Sequence, residues 1–372
     1  MRILVWQWGR HGSAPRLAAL LAGALRACPE TDAVLSLAAG AELLHAPNAP
    51  TNDLPIETYR SAAGFAARFA LAPVLARRLT RQLDPLGLDL AICMQPGPLD
   101  LVMAAALRRL GVKFAVVVHD ADAHPGDGWP LQMALQRRLC RQADALVALS
   151  DHVAAGLRAQ GLGGSAAGTR PILHGFHPPL PFGPALRPAA RAPGPPRPLF
   201  FGRLLPYKGL DLLAAALAGL GAAPGCAVRV VGSGPDSAAL AALRALPWVT
   251  VENRWVPEEE VPTLLAWSDA LVLPYKEASQ SGVAAAALAF GRRVLATRVG
   301  GLAEQLGAEP LAELCAPDVG SLTGAIARLI AAPPTMGAAV DPAAAWRRLA
   351  GLLLQGLQPI RYAAAGAPLP PV

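Results

Sequence analysis

The sequence of 372 residues predicts an α/β protein that consists of two doubly wound domains, each built on a parallel sheet. Short apolar runs, which are typical of buried strands, alternate along the chain with segments whose apolar residues recur at helical spacing. Residues 178–198 interrupt this alternation with Pro, Ala, Gly and Arg, a composition typical of a semi-extended linker. We therefore predict a first domain over residues 1–177, a second over 199–340, and a C-terminal helix and tail over 341–372.

The first half of the chain opens with a strand, a glycine loop and a helix. Met1–Trp8 is the strand, and the helix begins near Pro15 with Ser13 available as its N-cap. The same alternation then continues to the linker. Further strands are predicted at Ala33–Leu37, Leu88–Cys93, Val112–Val118, Ala145–Ser150 and Ile172–His177, and further helices at Ala62–Leu83, Leu99–Leu110, Leu131–Ala143 and Val153–Gln160.

Polar residues follow two strands of the first domain, at the ends where parallel sheets bind ligands. One set forms the loop after the first strand, and the other follows Val112–Val118 in the segment HDADAHPG. His119 is the main candidate for contact with a substrate, and His124 is the second choice. An alternative is that these loops are ordinary turns and that the histidines only hydrogen-bond to their own loop. The candidate ligand-contacting residues of this half are Gly9, Arg10, His11, Gly12, His119 and His124.

The predicted helix Ala62–Leu83 interleaves four arginines with apolar residues. Such a basic amphipathic helix could lie against a membrane surface and reach a lipid-linked acceptor. The alternative is an ordinary surface helix whose arginines are solvated.

The second half predicts a phosphate site at Leu199–Leu217, LFFGRLLPYKGLDLLAAAL. A strand, a glycine turn and a helix N-terminus present free backbone N–H groups to an anion. Arg203 adds a planar guanidinium and Lys208 a mobile ammonium, although both could be ordinary surface cations. The predicted strands are Leu199–Phe201, Val228–Val231, Val249–Glu252, Ala270–Leu273, Val294–Ala296 and the edge strand Leu311–Leu314, followed by helices at Leu322–Ala332 and Pro342–Gln358.

Three motifs of this half, FFGRLLPYKG, VVGSGP and PYKEASQSGVAAAALAFGRRVLATRVGGLAE, occur in an order that resembles the C-terminal domain of retaining glycosyltransferases of family 4. The resemblance implies a GT-B fold, in which two Rossmann-like domains face each other across a cleft. It implies transfer of a sugar from a nucleoside-diphosphate sugar to a hydroxyl acceptor of a polysaccharide, lipid or glycan, with retention and without a metal or other cofactor. It also implies that the C-terminal helix crosses back onto the first domain.

The resemblance carries roles over to individual residues. As catalytic residues, Arg203 and Lys208 would stabilise the leaving phosphate, Glu277 would lie near the donor sugar, and His119 near the transferred sugar and the acceptor. The acceptor side would be formed by Gly9, Arg10, His11, Gly12 and His124. The family's second glutamate, eight positions after the first, is absent, because Ala285 and Ala286 occupy its two possible positions. Further donor contacts are predicted at Gly202, Gly232, Ser233, Gly234, Arg254, Val256, Ser279, Gln280, Ser281, Gly282 and Val283.

The missing glutamate keeps two other functions open. One is a catalytically silent module that binds nucleotide sugars, and the other is a sugar-nucleotide epimerase on the same fold. A Rossmann dehydrogenase is disfavoured, because Gly9–Gly12 lacks the G-x-G-x-x-G spacing.

Composition and charge restrict the classes of partner and the cellular location that we expect for this protein. The net charge of +7 suits anionic partners such as nucleotide sugars and phospholipid headgroups, and no nucleic-acid-binding motif accompanies it. No apolar stretch reaches the roughly 18 residues of a membrane-spanning helix, and the N-terminal apolar run is too short for a signal peptide. We therefore expect a cytosolic protein, with peripheral contact at the inner face of the membrane as an alternative. The five cysteines have neither metal-ligand nor redox spacing, which favours buried free thiols.

Overall fold

The computed structural model describes residues 1–46, 48–128, 131–164, 169–181, 194–221, 225–332, 337 and 341–365. Most of the predicted linker (182–193) and the end of the predicted tail (366–372) lie outside the described residues. The chain divides into two compact units. The described strands are β1 (Arg2–Gln7), β2 (Asp32–Leu37), β3 (Leu90–Cys93), β4 (Lys113–Val118), β5 (Ala145–Ala148), β6 (Ile172–His174), β7 (Pro198–Phe201), β8 (Val228–Gly232), β9 (Val249–Asn253), β10 (Ala270–Leu273), β11 (Arg293–Thr297) and β12 (Ala312–Cys315).

Most of the described helices lie between consecutive strands, as α/β crossovers require, and the last two follow β12. They are α1 (Ala14–Arg26), α2 (Ala62–Ala70), α3 (Ala72–Leu83), α4 (Asp100–Arg109), α5 (Gln132–Cys140), α6 (Asp151–Ala159), α7 (Leu210–Ala218), α8 (Ala238–Arg244), α9 (Val261–Trp267), α10 (Gly282–Ala289), α11 (Gly300–Leu306), α12 (Val319–Ala331) and α13 (Pro342–Ala365).

The first unit takes in the described residues within 1–122, 129–176 and 343–372. Its six strands are all parallel, in the order β2-β1-β3-β4-β5-β6. Every residue of β3 and β5 is buried, as expected for strands that helices cover on both faces. The helix α13 belongs to this unit, where a Cβ on its Gly356 would lie 2.8 Å from the side chain of Leu173 in β6. Its buried residues recur at helical spacing: Trp346, Leu349, Ala350, Leu353 and Leu357.

The second unit takes in the described residues within 123–128 and 177–342. Its six parallel strands have the order β12-β11-β10-β7-β8-β9. The segment Ala123–Gly128, which follows β4 in the chain, belongs to this unit by its contacts. The prediction of two Rossmann-like α/β domains is therefore confirmed, whereas the predicted domain boundaries stay a prediction.

Two local predictions are wrong. The stretch Ala62–Leu83 forms two helices instead of one, because Pro73 has no N–H to continue the first helix and restricts the residue before it. Ser13 precedes α1 with helical backbone angles (φ −75°, ψ −20°), and its side chain makes no capping hydrogen bond. An N-cap needs an extended backbone, as at Ser150, whose side chain accepts a hydrogen bond from the Val153 N–H at 3.3 Å.

Candidate active site

The second sheet has a topological switch point between β7 and β10. From β7 the chain moves outward through β8 to β9, and it then returns to the other side of β7 to form β10, β11 and β12. Open parallel sheets bind ligands beyond the carboxyl ends of the strands at such a point. The loops that follow β7 and β10 carry six predicted site residues with polar side chains: Arg203, Lys208, Glu277, Ser279, Gln280 and Ser281.

A glycine lets these two loops approach each other. Gly209 has a φ of 69°, and a Cβ at this position would lie 1.8 Å from the carbonyl oxygen of Pro274. Next to it, the Lys276 N–H donates a hydrogen bond of 2.8 Å to the Tyr207 carbonyl. A side chain at residue 209 would therefore push the loop after β7, which holds both Arg203 and Lys208, away from the loop after β10.

The loop after β8 packs equally closely against the loop after β7. A Cβ on Gly232 would lie 1.7 Å from the Gly202 oxygen, and one on Gly234 would lie 2.4 Å from the Leu204 oxygen. The Leu204 N–H also donates a hydrogen bond of 2.9 Å to the Ser233 oxygen. The sequence analysis placed Gly232 and Gly234 near the nucleotide. In the structure their missing side chains allow the loop after β7 to pack closely against them.

The Arg203 guanidinium forms a two-bond ion pair with the carboxylate of Asp127. Its Nη2 lies 2.6 Å from Asp127 Oδ2 and donates to the Tyr207 hydroxyl at 2.8 Å. Burial opposes the charged guanidinium, but the hydrogen bond to Asp127 and the proximity of Tyr207 outweigh it and raise the pKa of Arg203. The side chain remains exposed on its other side, where an anion can reach it.

The Lys208 ammonium lies among aromatic rings. Its Nζ is 3.6 Å from the ring centroid of Tyr275 and 4.8 Å from that of Tyr207. The Tyr275 ring is fully buried, and burial raises the pKa of its hydroxyl to about 12. Because both phenols are neutral at pH 7, they attract the ammonium through their ring faces and do not neutralise its charge.

Glu277 is 53% exposed, and its Oε2 lies 3.3 Å from Nδ1 of His124. The His124 ring stacks on the Tyr207 ring at a centroid distance of 4.6 Å and an interplanar angle of 13°. The sequence analysis placed His124 on the acceptor side of the first domain. Its described contacts join it to Tyr207 and to the predicted donor-site residue Glu277, both in the second unit. Its role toward the acceptor stays a prediction.

The start of α10 supplies further polar groups beside β10. The Ser281 hydroxyl accepts a hydrogen bond of 3.2 Å from the Ala284 N–H and so caps the helix. The backbone of Ser281 is held by the Gln305 amide through bonds of 2.8 and 3.0 Å. Ser279 is buried, whereas Gln280, Gly282 and Val283 are half-buried. A Cβ on Gly282 would lie 3.3 Å from the ring of His177.

Both alternative positions of the missing glutamate lie inside α10. Ala285 and Ala286 are buried there, at 7% and 5% exposure. A glutamate at either position would have to bring its carboxylate out of this packed surface, which the present alanines do not require.

The loop after β9 contains the predicted base-binding residues Arg254 and Val256. The Arg254 guanidinium bonds to two carboxylates, with Nη2–Oε2 of Glu252 at 3.0 Å and Nη1–Oε2 of Glu260 at 2.8 Å. These bonds raise its pKa. Val256 packs against the core of the unit. Between them, Trp255 is 55% exposed, and the sequence analysis missed it.

The first sheet has its own switch point between β1 and β3. In the loop after β1, Arg10 donates to the carbonyl oxygens of Gly40 (3.3 Å) and Tyr59 (3.5 Å). The exposed His11 lies 3.3 Å from a carboxylate oxygen of Glu42. The two glycines of this loop have different roles. The Gly9 N–H donates a hydrogen bond to the Gln7 side chain, whereas Gly12 has a φ of 82° and turns the chain.

His119 follows β4 and is almost fully buried. Its Nε2 lies 3.0 Å from the Met94 carbonyl oxygen, which only accepts hydrogen bonds, so Nε2 carries the proton. Burial lowers the pKa of His119, although Asp120 and the Met94 carbonyl act in the opposite direction. The ring is therefore neutral at pH 7, with Nδ1 as its acceptor atom.

The loop after β3, whose Met94 carbonyl accepts the hydrogen bond from His119, is anchored by a buried carboxyl, Asp100, at the start of α4. Its Oδ2 accepts the Gly97 N–H at 2.6 Å and lies 3.4 Å from the Cys93 sulfur. Burial raises the pKa of Asp100 to about 7, and the bonds from Gly97 and Cys93 only partly offset this. The sequence analysis missed this residue, because an Asp at a helix start usually faces solvent.

Two features are absent from the described residues: a cluster of metal ligands and a helix that could span a membrane. Within the described ranges, no three His, Cys, Asp or Glu side chains come together as the ligands of a metal ion would. None of the described helices combines the length and the apolar character that crossing a bilayer demands.

Family models match both halves of the chain. The model of Glycosyltransferase Family 4 matches residues 21–166, and that of Glycosyl transferases group 1 matches residues 195–332. Both halves belong to glycosyltransferase domain families. The resemblance in sequence is thereby confirmed at the level of the domains. No curated protein matches this glycosyltransferase in sequence.

Solved structures share the fold of this glycosyltransferase over nearly its whole length. Sucrose-phosphate synthase from Thermosynechococcus elongatus has 18% identity and a TM-score of 0.65, with 98% of this chain and 100% of that chain covered. HepE from Anabaena in complex with UDP has 18% identity and a TM-score of 0.66, with 99% and 100% covered. A putative UDP-N-acetylglucosamine 2-epimerase from Listeria monocytogenes has 12% identity and a TM-score of 0.56, with 100% and 98% covered. At such identities the likeness establishes the fold alone.

Proposed function

We propose that the protein transfers a sugar from a nucleoside-diphosphate sugar to a hydroxyl acceptor of a polysaccharide, lipid or glycan. The observation that carries this proposal is the position of Arg203 and Lys208 at the switch point of the second sheet. The group 1 glycosyltransferase model spans both residues. The likeness to HepE, whose structure contains UDP, supports a nucleotide donor.

In this proposal the two cations stabilise the diphosphate as the bond to the sugar breaks. The Arg203 guanidinium already holds a planar, two-oxygen anion, the Asp127 carboxylate, in the geometry that a phosphate would use. A donor phosphate would exchange with this carboxylate. Loss of one such preorganised charge costs about 3 kcal/mol of transition-state stabilisation, or about a hundredfold in rate.

The reaction proceeds with retention and without a metal. The acceptor attacks the face from which the phosphate leaves, and the leaving phosphate takes the proton of the acceptor hydroxyl. No carboxylate acts as a nucleophile. Glu277, which is exposed beside His124, instead accepts hydrogen bonds from hydroxyl groups of the donor sugar.

The nucleoside lies along the loops after β8, β9 and β10. The exposed ring of Trp255 stacks on the base, beside Val256. Because the second glutamate is replaced by buried alanines, the hydroxyl of Ser279 and the amide of Gln280 contact the ribose in its place.

His119 serves the acceptor in the first unit. Since its Nε2 donates to Met94, the neutral ring offers Nδ1 as a hydrogen-bond acceptor to a substrate hydroxyl. A neutral histidine orients the hydroxyl without competing for its proton, which in this proposal goes to the leaving phosphate.

The test is a calorimetric screen of UDP, GDP, ADP and their sugar conjugates, without metal and then with magnesium. We expect one nucleotide to bind without metal and Arg203→Ala and Lys208→Ala each to lower sugar transfer about a hundredfold or more, with an unchanged melting temperature. Arg244→Ala is the control, because this cation of the same unit pairs with Asp236 on the surface. Wild-type transfer in both site variants would overturn the assignment of the phosphate site.

The buried alanines at 285 and 286 favour one second candidate, a catalytically silent module that binds nucleotide sugars. Binding of a donor without transfer or donor hydrolysis would establish it. NMR of the sugar product separates transfer from epimerisation, in which the sugar changes configuration but stays on the nucleotide.

A further inference from the structure

The segment from Arg60 to Leu83 has a composition unlike a solvated surface. It contains five arginines and no acidic residue, and α2 within it consists of Ala and Phe except for one Gly and one Arg. No residue of α2 is buried, although α1 in the same unit buries seven of its thirteen residues. Isolated helices of this length are marginal in water, so an unburied apolar helix needs a surface to pack on.

Three large apolar side chains are exposed to solvent at the junction between α2 and α3. Phe69 is 50% exposed, Leu71 53% and Val74 58%. The Phe69 ring touches the ring of Phe65 at a centroid distance of 5.9 Å, and this pair continues to Tyr59 at 5.0 Å. The exposed apolar side chains are therefore held in place by a short aromatic row.

The helix α3 separates its two faces clearly. Ala76, Leu79 and Leu83 are buried toward the core of the unit. The exposed residues 74, 77, 78 and 81 recur at i, i+3, i+4 and i+7, which places Val74 and three arginines on one stripe. None of the five arginines of the segment forms an ion pair with a carboxylate in the part of the chain that the structure describes.

We propose that this surface, Phe69, Leu71 and Val74 with the arginines of α2 and α3, docks on a bilayer that carries anionic headgroups. The apolar side chains enter the interface, and the unpaired arginines meet the headgroup phosphates at its edge. The charge of the surface favours this occupant, because a second copy of this face would place five arginines against five others, whereas anionic headgroups supply counter-charge to all of them. The inference does not depend on the proposed sugar transfer.

The test is flotation of the full chain with vesicles of neutral phosphatidylcholine, with and without about 30% phosphatidylglycerol. We expect binding to the anionic vesicles alone, and weaker binding as salt rises from 0.1 M to 1 M, since the screening length falls from about 10 Å to about 3 Å. Arg77→Ser with Arg78→Ser lowers the partition coefficient about 10- to 30-fold, at about fivefold for each arginine. Phe69→Ser with Leu71→Ser and Val74→Ser also abolishes most of the binding.

A matched control changes another exposed surface of the same unit. Arg347→Ser, Arg348→Ser and Leu352→Ser on α13 remove an adjacent arginine pair and an exposed leucine, and this variant keeps wild-type vesicle binding. The variants of α2 and α3 should stay folded, because the substituted side chains are exposed or near the surface. Melting temperatures check this for every variant, including the α13 control, whose Arg348 lies 5.3 Å from the Phe176 ring centroid. Nucleotide binding in solution is measured alongside, so that a failed donor site and a failed docking surface are told apart.

Three results would overturn the inference. The first is no preference for anionic over neutral vesicles. The second is an equal loss of binding in the α13 control. The third is a concentration-dependent dimer, detected by light scattering, that dissociates in the variant of Phe69, Leu71 and Val74, which would assign the surface to a second copy of the chain.

Discussion

The buried carboxyl of Asp100 makes the stability of the first unit depend on pH in a direction that can be worked out. Its pKa is about 7 in the folded protein, compared with roughly 3.9 in an unfolded chain. The folded state thus binds this proton more tightly, and its advantage is lost as the pH rises from about 4 to about 7. Between pH 5 and pH 8 the loss amounts to about 2.5 kcal/mol.

The substitution Asp100→Asn removes this titration while its amide oxygen can still accept the Gly97 N–H. A domain of this size loses about 2–4 °C in melting temperature for each kcal/mol. The melting temperature of the variant minus that of the wild type should therefore rise by about 5–10 °C from pH 5 to pH 8. We compare the two melting temperatures because His119, whose pKa is lowered, destabilises both proteins as the pH falls. This effect cancels in the difference between variant and wild type.

Scanning calorimetry at pH 5, 6, 7 and 8 measures this difference. Asp236→Asn serves as the control, since this carboxylate is 75% exposed and lies in the other unit; its difference from wild type should stay constant. A flat difference for Asp100→Asn would mean that the carboxyl is ionised throughout this range. The reasoning from its burial would then be refuted.

Two further predictions concern aromatic residues of the second unit. Trp255→Ala should weaken binding of the donor nucleotide at least fivefold, since stacking on a base contributes about 1–3 kcal/mol; isothermal titration measures it, and an unchanged affinity would exclude stacking. Tyr275→Leu removes the ring that lies 3.6 Å from the Lys208 ammonium, and it should lower the rate of sugar transfer by about 3- to 30-fold, in line with the 0.5–2 kcal/mol of a cation–π contact. Tyr275→Phe keeps the ring and should transfer sugar at nearly the wild-type rate, so equal losses in both variants would argue for the hydroxyl instead.

The sheets could be predicted from the sequence because their strands are buried on both faces. Such strands appear as continuous apolar runs, as Phe114–Val118 does, and the turn glycines mark where they end. The break at Pro73 was also present in the sequence, but the apolar spacing on either side of it predicts one helix. Ser13 has the right residue type for a cap and the wrong backbone angles, which sequence does not reveal.

The contacts around the two cations depend on the pairing of strands that are distant in sequence. Tyr275 meets Lys208 because β7 and β10 are neighbours in the sheet, and no local pattern predicts that pairing. The PYKG and LPYK segments did contain a signal, since each places a tyrosine beside a lysine. Asp127 gave no such signal, as its partner Arg203 lies 76 residues away.

The two switch points differ in how their arginines are held, and this difference argues for which substrate each unit binds. In the first sheet, Arg10 donates to the backbone carbonyls of Gly40 and Tyr59, and His119, which follows β4, is neutral. In the second sheet, Arg203 is held by a carboxylate that a phosphate can replace, and the Lys208 ammonium lies over two neutral phenol rings. A diphosphate needs exchangeable cations, whereas a hydroxyl acceptor needs only oriented neutral groups. The distribution of charge therefore supports the proposal that the donor binds to the second unit and the acceptor to the first, on physical grounds that are separate from the match to known families.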